Sequence, residues 1–151
     1  TGFRVLIMRR LFKPLFVLLL VLAMHSATAE LVVVSGAKSG IDHLSRQDVV
    51  FLFMGRLRQL PTGVQALPLD LAVNSPERAD FYRLLVNKEP AEIKAYWSRL
   101  VFSGGSRPPQ VVESREDLIR LLSSNPGAIG YMERSKLDGR FKVVYEFPAS
   151  P

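Results

Sequence analysis

Asp70, Asn74, Ser75 and Arg78 fall within nine residues, around the stretch NSPERADFYRLL that begins at Asn74. Two small polar residues, a proline and then an arginine describe a helix start whose backbone N–H groups are open to a guest. Asn74 or Ser75 can cap, and Pro76 suits the first helical position because it has no N–H to lose. A helix N-terminus concentrates partial positive charge and can hold an oxyanion directly. Ser75 could add a hydroxyl donor and Arg78 a bidentate fork. Asp70, just upstream, could orient Arg78 and accept a proton from a protonated anion. The plainer alternative is an ordinary helix start, with Glu77 complementing the dipole and Arg78 solvated. The residues alone leave both readings open.

Other chemistry-bearing residues are sparse. SGAKSG, from Ser35 to Gly40, is glycine-rich and follows an apolar run, but lacks the G-x-x-x-x-G-K-[ST] order of a nucleotide-binding loop. Ser39, with Lys38, is a second candidate anion contact. His43 could be set beside Asp42 or Asp48 in a triad, but no nucleophile elbow accompanies it, so no enzyme is expected. The chain has no cysteine, which removes thiolate catalysis, disulfides and cysteine-based metal sites. No cofactor is implied.

The elements that must position these groups read as alternating strands and helices. LVVV from Leu31 is a buried strand ended by Ser35-Gly36, and a loop runs to His43. Ser45 reads as an N-cap with Asp48 three residues on, ahead of a short buried helix that stops at Gly55. A turn carrying Pro61 leads to a strand over 64–71, and a helix follows over 79–86 with Phe81, Leu84 and Leu85 facing inward. Pro90 begins the clearest amphipathic pattern, with Ile93, Tyr96, Trp97, Leu100 and Val101 on one face; Tyr96, Trp97 and Phe102 could stack on a ligand, but their helical spacing assigns them to the core. After the loop 103–109, Val111-Val112 gives at most a short strand. Ser114 starts a helix, with Asp117 at capping-box spacing, and Asn125-Pro126-Gly127 ends it. Strands over 128–132 and 141–147, joined by a polar connection, complete an α/β sandwich on a central sheet.

Arg9, Arg10 and Lys13 precede the apolar run LFVLLLVLAM, and Ser26-Ala27-Thr28-Ala29 follows it. This is the pattern of a signal peptide cleaved after Ala29. The run is shorter than the ~20 residues of a membrane-spanning helix; retention as an N-terminal anchor is the alternative. Met8 ahead of the arginines allows 1–7 to be upstream sequence. The whole chain carries 20 Lys+Arg against 14 Asp+Glu, a net charge of +6. Without Arg4, Arg9, Arg10 and Lys13 the balance is 16 to 14, or +2, so nucleic acid is not indicated. A periplasmic domain over 30–151 is expected, touching membrane only through the signal peptide before cleavage.

Three segments in order carry a resemblance. LSRQDVVFLFMGR from Leu44 resembles the L-S/T-x-x-x-L-x-x-I-F-x-G-K stretch of phosphate ABC transporter substrate-binding proteins. The strand ending near Asp70 with its small-polar helix start comes next, and SNPGAIGY from Ser124 is similar to their N-P-G-A-I-G-Y turn. KAYWSRLVFSG from Lys94 resembles a short-chain group of the same superfamily. Together these cover about Leu31 to Tyr145. The resemblance implies a single lobe of a type II periplasmic binding protein, an α/β fold with a central mixed sheet flanked by helices. It implies capture of phosphate or a similar oxyanion for uptake or sensing, with an ABC permease, a sensor or a second protein chain as partner. Asn74, Ser75, Arg78, Asp70 and Ser39 are the residues it would use. Asn-Ser-Pro stands where many full-length members have Gly-Ser-Gly-Thr, and the chain begins where their second lobe begins. A scaffold that keeps the fold without a ligand is the alternative.

Overall fold

The computed structural model describes residues 29–149. The expected leader, Ala29 excepted, lies outside the described residues. Five strands and four helices follow in the order β1 Leu31–Gly36, α1 Arg46–Phe53, β2 Leu67–Leu71, α2 Pro76–Val86, α3 Pro90–Phe102, β3 Gln110–Val112, α4 Arg115–Ser124, β4 Ala128–Glu133 and β5 Phe141–Glu146. A 3-10 turn over Arg134–Lys136, not foreseen in the sequence, sits between β4 and β5.

The strands form one mixed sheet in the order β3-β2-β4-β1-β5. β3, β2 and β4 run parallel, while β1 is antiparallel to both β4 and β5. Every residue of β1 is buried, which is why its sequence is a continuous apolar run rather than an alternating one. Its side chains divide between two cores. Val33 joins the core beneath α1, α2 and α3. Val32 and Val34 join the smaller core beneath α4, with Leu118 and Leu122.

The local signals work as expected at most boundaries. Ser45 accepts the Asp48 amide and Asp48 returns the bond, closing a capping box. Pro76 and Pro90 occupy first-turn positions of α2 and α3. At α4 the Ser114 hydroxyl accepts the Asp117 amide, but the Asp117 carboxylate turns outward to Arg120 at 2.8 Å. Gly127 is required by packing, since a Cβ there would strike the backbone carbonyl of Gln65.

One correction concerns α3. Ile93 and Trp97 are buried, yet Val101 is half exposed and Phe102 is 95% exposed. Nine residues at 100° each place Phe102 about 180° around the helix from Ile93.

The connections create a crevice. β2 and β3 are neighbours, but the helix leaving β2 packs on one face of the sheet and the helix leaving β3 packs on the other. Where outgoing helices diverge, the carboxyl ends of the two strands cannot be covered by either.

Candidate functional site

Ser75 is the N-cap of α2: its hydroxyl accepts the Arg78 amide at 3.3 Å and its carbonyl accepts the Ala79 amide at 3.2 Å. Pro76 has no N–H. The Glu77 amide is the one first-turn donor of α2 without a partner among the described residues. The expected row of open amides is therefore reduced to one, because the cap consumes the rest. Asn74 stands exposed in the turn ahead of the cap.

Asp70 and Arg78 do meet, but inside the protein. Asp70 is 2% exposed and Arg78 8%. One Asp70 oxygen accepts Arg78 Nε and the Tyr82 hydroxyl, each at 2.9 Å. The other accepts the Tyr131 hydroxyl at 2.6 Å and the Leu71 amide at 2.9 Å. Burial lowers the guanidinium pKa, and the charge and hydrogen bond of Asp70 more than reverse this, holding it above the ordinary arginine value. Burial, then the Asp70 carboxylate, pushes both phenols far up, so they remain donors. The Arg78 guanidinium also lies over the Tyr82 ring, 5.0 Å from its centre. With two donors on each oxygen, Asp70 has no capacity left to take a proton from a ligand. Its role is to fix Arg78 and, through Arg78, the first turn of α2.

Beyond this network the crevice opens into a cavity of about 190 Å³ at the carboxyl ends of β2 and β3. Leu71, Ala72, Val112 and Tyr131 form its floor, Ser75 and Glu77 one wall, and Glu113, Ser114 and Arg115 the other. Two helix N-termini thus converge on it. Ser114 caps α4 as Ser75 caps α2, and the Arg115 and Glu116 amides have no partner among the described residues. Lys136 closes the rim, bonded to Glu77 at 2.8 Å, while its carbonyl accepts Arg115 Nη2 at 3.1 Å. The hydrogen bond to Glu77 raises the Lys136 pKa, so the ammonium charge is retained. A volume of this size accommodates a small tetrahedral anion with its waters. A larger hollow of about 460 Å³ lies across Glu77, but Glu77, Asp80 and Glu133 line it and would repel an anion.

Ser39 is not part of this site. It follows the end of β1, which runs opposite to β4, so it lies at the far edge of the sheet from the carboxyl ends of β2 and β3. There it is buried, donating to Ser35 at 2.9 Å and accepting the Ile41 amide at 3.2 Å. The triad drawn around His43 is not assembled either: Asp42 pairs with Lys142, and Asp48 serves the α1 cap. Among the described residues no group of three or more His, Cys, Asp or Glu could hold a metal ion. Ser114, Arg115 and Lys136 were not foreseen as site residues. Ser114 was legible as a cap, but only the pairing of β3 with β2 brings it opposite Ser75.

The architecture has close parallels among solved structures. An ABC-type phosphate transport receptor from Vibrio cholerae matches at TM-score 0.59 and 16% identity, over 76% of this chain and 45% of its own. The chain shares the α/β fold, a mixed five-stranded sheet flanked by four helices, of one part of that receptor. A putative phosphate ABC transporter substrate-binding protein with bound phosphate, from Clostridium perfringens, gives TM-score 0.59 at 13% identity, over 76% of this chain and 44% of that one. PstS from Borrelia burgdorferi gives 0.58 at 15%, over 80% and 49%. The chain thus spans less than half the length of the solved structures it matches. No family model and no curated protein matches it. In this fold the cavity occupies the open end of the parallel strands, with the buried Asp70 network directly behind its α2 wall.

Proposed function

We propose that the lobe is an exported substrate-binding module that holds phosphate or a similar small oxyanion, for uptake or sensing, in the crevice between the starts of α2 and α4. The observation that carries this reading is the convergence of two capped helix N-termini, with Arg115 and Lys136, on one cavity of about 190 Å³. Unpaired amides from both helices supply donors and both dipoles favour negative charge. The Ser75 and Ser114 hydroxyls border the same space, and Asn74 lies at its approach. Arg78 acts indirectly, by anchoring the α2 wall to Asp70. The fold shared with phosphate-transport proteins supports a transport or sensing role, with an ABC permease, a sensor or a second chain as partner. The basic and apolar segment ending at Ala29 supports export to the periplasm.

A second reading has its own support. Glu77 and Glu113 match Arg115 and Lys136 in number around the cavity, and Glu77 already neutralises Lys136. A lobe with a charge-balanced crevice would serve as an interaction scaffold. Isothermal calorimetry with phosphate and with sulfate separates the two. Capture requires saturable, salt-sensitive heat that Arg115→Ala and Lys136→Ala each weaken; an intact fold with no heat leaves the scaffold.

A further inference from the structure

The end of α3 presents a surface that the crevice does not explain. Phe102 is 95% exposed and Val101 52%. Arg99 precedes Phe102 by one turn, and Lys94 precedes Val101 by two turns on the same face. Two further cations are brought there by the loop after α1. The Tyr96 hydroxyl donates to the Met54 carbonyl at 2.7 Å, and the Ser106 hydroxyl donates to the Gly55 carbonyl at 2.9 Å. Gly55, at φ +76°, is pressed so closely on α3 that a Cβ would come within 2.6 Å of the Trp97 ring. Arg56 and Arg107 are the chain neighbours of this contact.

All four cations are exposed, and none forms a salt bridge among the described residues. The segments that build the surface contain no acid: neither Val49 to Leu69 nor Ile93 to Val112 holds an Asp or Glu. The surface also lies at the opposite pole from the cavity. α3 and its loop lead into the amino end of β3, whereas the cavity lies beyond the carboxyl end.

We propose that this pole is a contact for an anionic lipid membrane. Phe102 and Val101 enter the boundary between headgroups and acyl chains, and Arg56, Lys94, Arg99 and Arg107 pair with acidic headgroups. Two features favour a lipid surface over a protein. Phe102 projects from a helix end rather than lining a recess, so it needs a fluid surface that can close around it. Every charge carried by Val49 to Leu69 and by Ile93 to Val112 is positive, complementary to an anionic leaflet. In this orientation the cavity faces away from the bilayer, into open solvent.

The test uses residues 30–151, which contain every residue of both cores and omit the apolar leader. Co-sedimentation is measured with vesicles of phosphatidylcholine alone and with added phosphatidylglycerol. Binding is expected only to the second, weakening as salt rises. Loss of one cation, as in Arg99→Ala or Arg107→Ala, lowers the partition coefficient roughly fivefold. Phe102→Ser lowers it by about tenfold or more, with an unchanged circular dichroism spectrum. Equal binding to both vesicles, binding to neither, or indifference to Phe102→Ser overturns the proposal. So does retention on an immobilised acidic protein without vesicle binding, which would assign the surface to a protein partner.

Discussion

Asp70→Asn is the sharpest probe of the network behind the cavity. The side chains of Asp70 and Arg78 are 3% and 10% exposed, so water can replace little of what is lost. The Asn oxygen can still accept from Tyr131 and Leu71. Its amide, however, then faces Arg78 Nε and the Tyr82 hydroxyl, which both donate to Asp70. Tyr82 can turn and accept; Arg78 cannot, and is left charged and unpaired. Breaking a buried ion pair on one side costs about 3–5 kcal/mol, a large part of the ~5–15 kcal/mol that stabilises a typical domain. Urea denaturation of residues 30–151 measures the cost directly. Arg78→Met should destabilise by a similar amount, and the double variant by clearly less than the sum of the two. Single losses below ~1 kcal/mol, or effects that add within ~0.5 kcal/mol, would refute the claim that the pair is a buried, coupled anchor.

Two other outcomes follow from the same geometry. Tyr82 and Tyr131 have pKa values raised above the ordinary 10.0, so the folded state holds their protons more tightly than the unfolded chain. Their contribution to stability is complete below pH 10 and is lost as pH climbs above it, by up to ~1.4 kcal/mol per pH unit for each phenol. In an alkaline titration, the tyrosinate absorbance of these two residues should appear together with loss of circular dichroism; ionisation well before unfolding would contradict their bonding to Asp70. Gly127→Ala should destabilise by about 1–3 kcal/mol or more, because the new methyl meets backbone that cannot rotate away. A melting temperature equal to that of the parent would show the contact to be soft.

Signals confined to neighbouring residues were legible in the sequence, and those created by strand order were not. Ser45 with Asp48, Pro76, Pro90 and the Asn125-Pro126-Gly127 stop mark helix ends through local hydrogen bonding and steric restriction, and they appear as read. The closeness of Asp70 to Arg78 was also legible, since a strand end and the next helix start are joined by a short turn. Its burial was not. That depends on Tyr131, sixty-one residues away, which reaches Asp70 because β4 pairs with β2. Ser39 was misplaced for the same kind of reason: the direction of β1 decides which end of the sheet it occupies. Ser114 faces Ser75 only because β3 adjoins β2. Phe102 is different. Grouping it with Tyr96 and Trp97 by helical spacing points to the core, yet its angle on α3, also readable from the sequence, sets it opposite Ile93.

The two walls of the crevice are held by unequal means. Behind Ser75 stands a carboxylate gripped by four donors and an aromatic stack in which Phe81 lies 3.8 Å from Tyr131. Behind Ser114 stands β3, an edge strand joined to the sheet through three residue pairs with β2. One jaw is therefore braced by side chains reaching across the sheet, whereas the backbone of the other is paired along one side only.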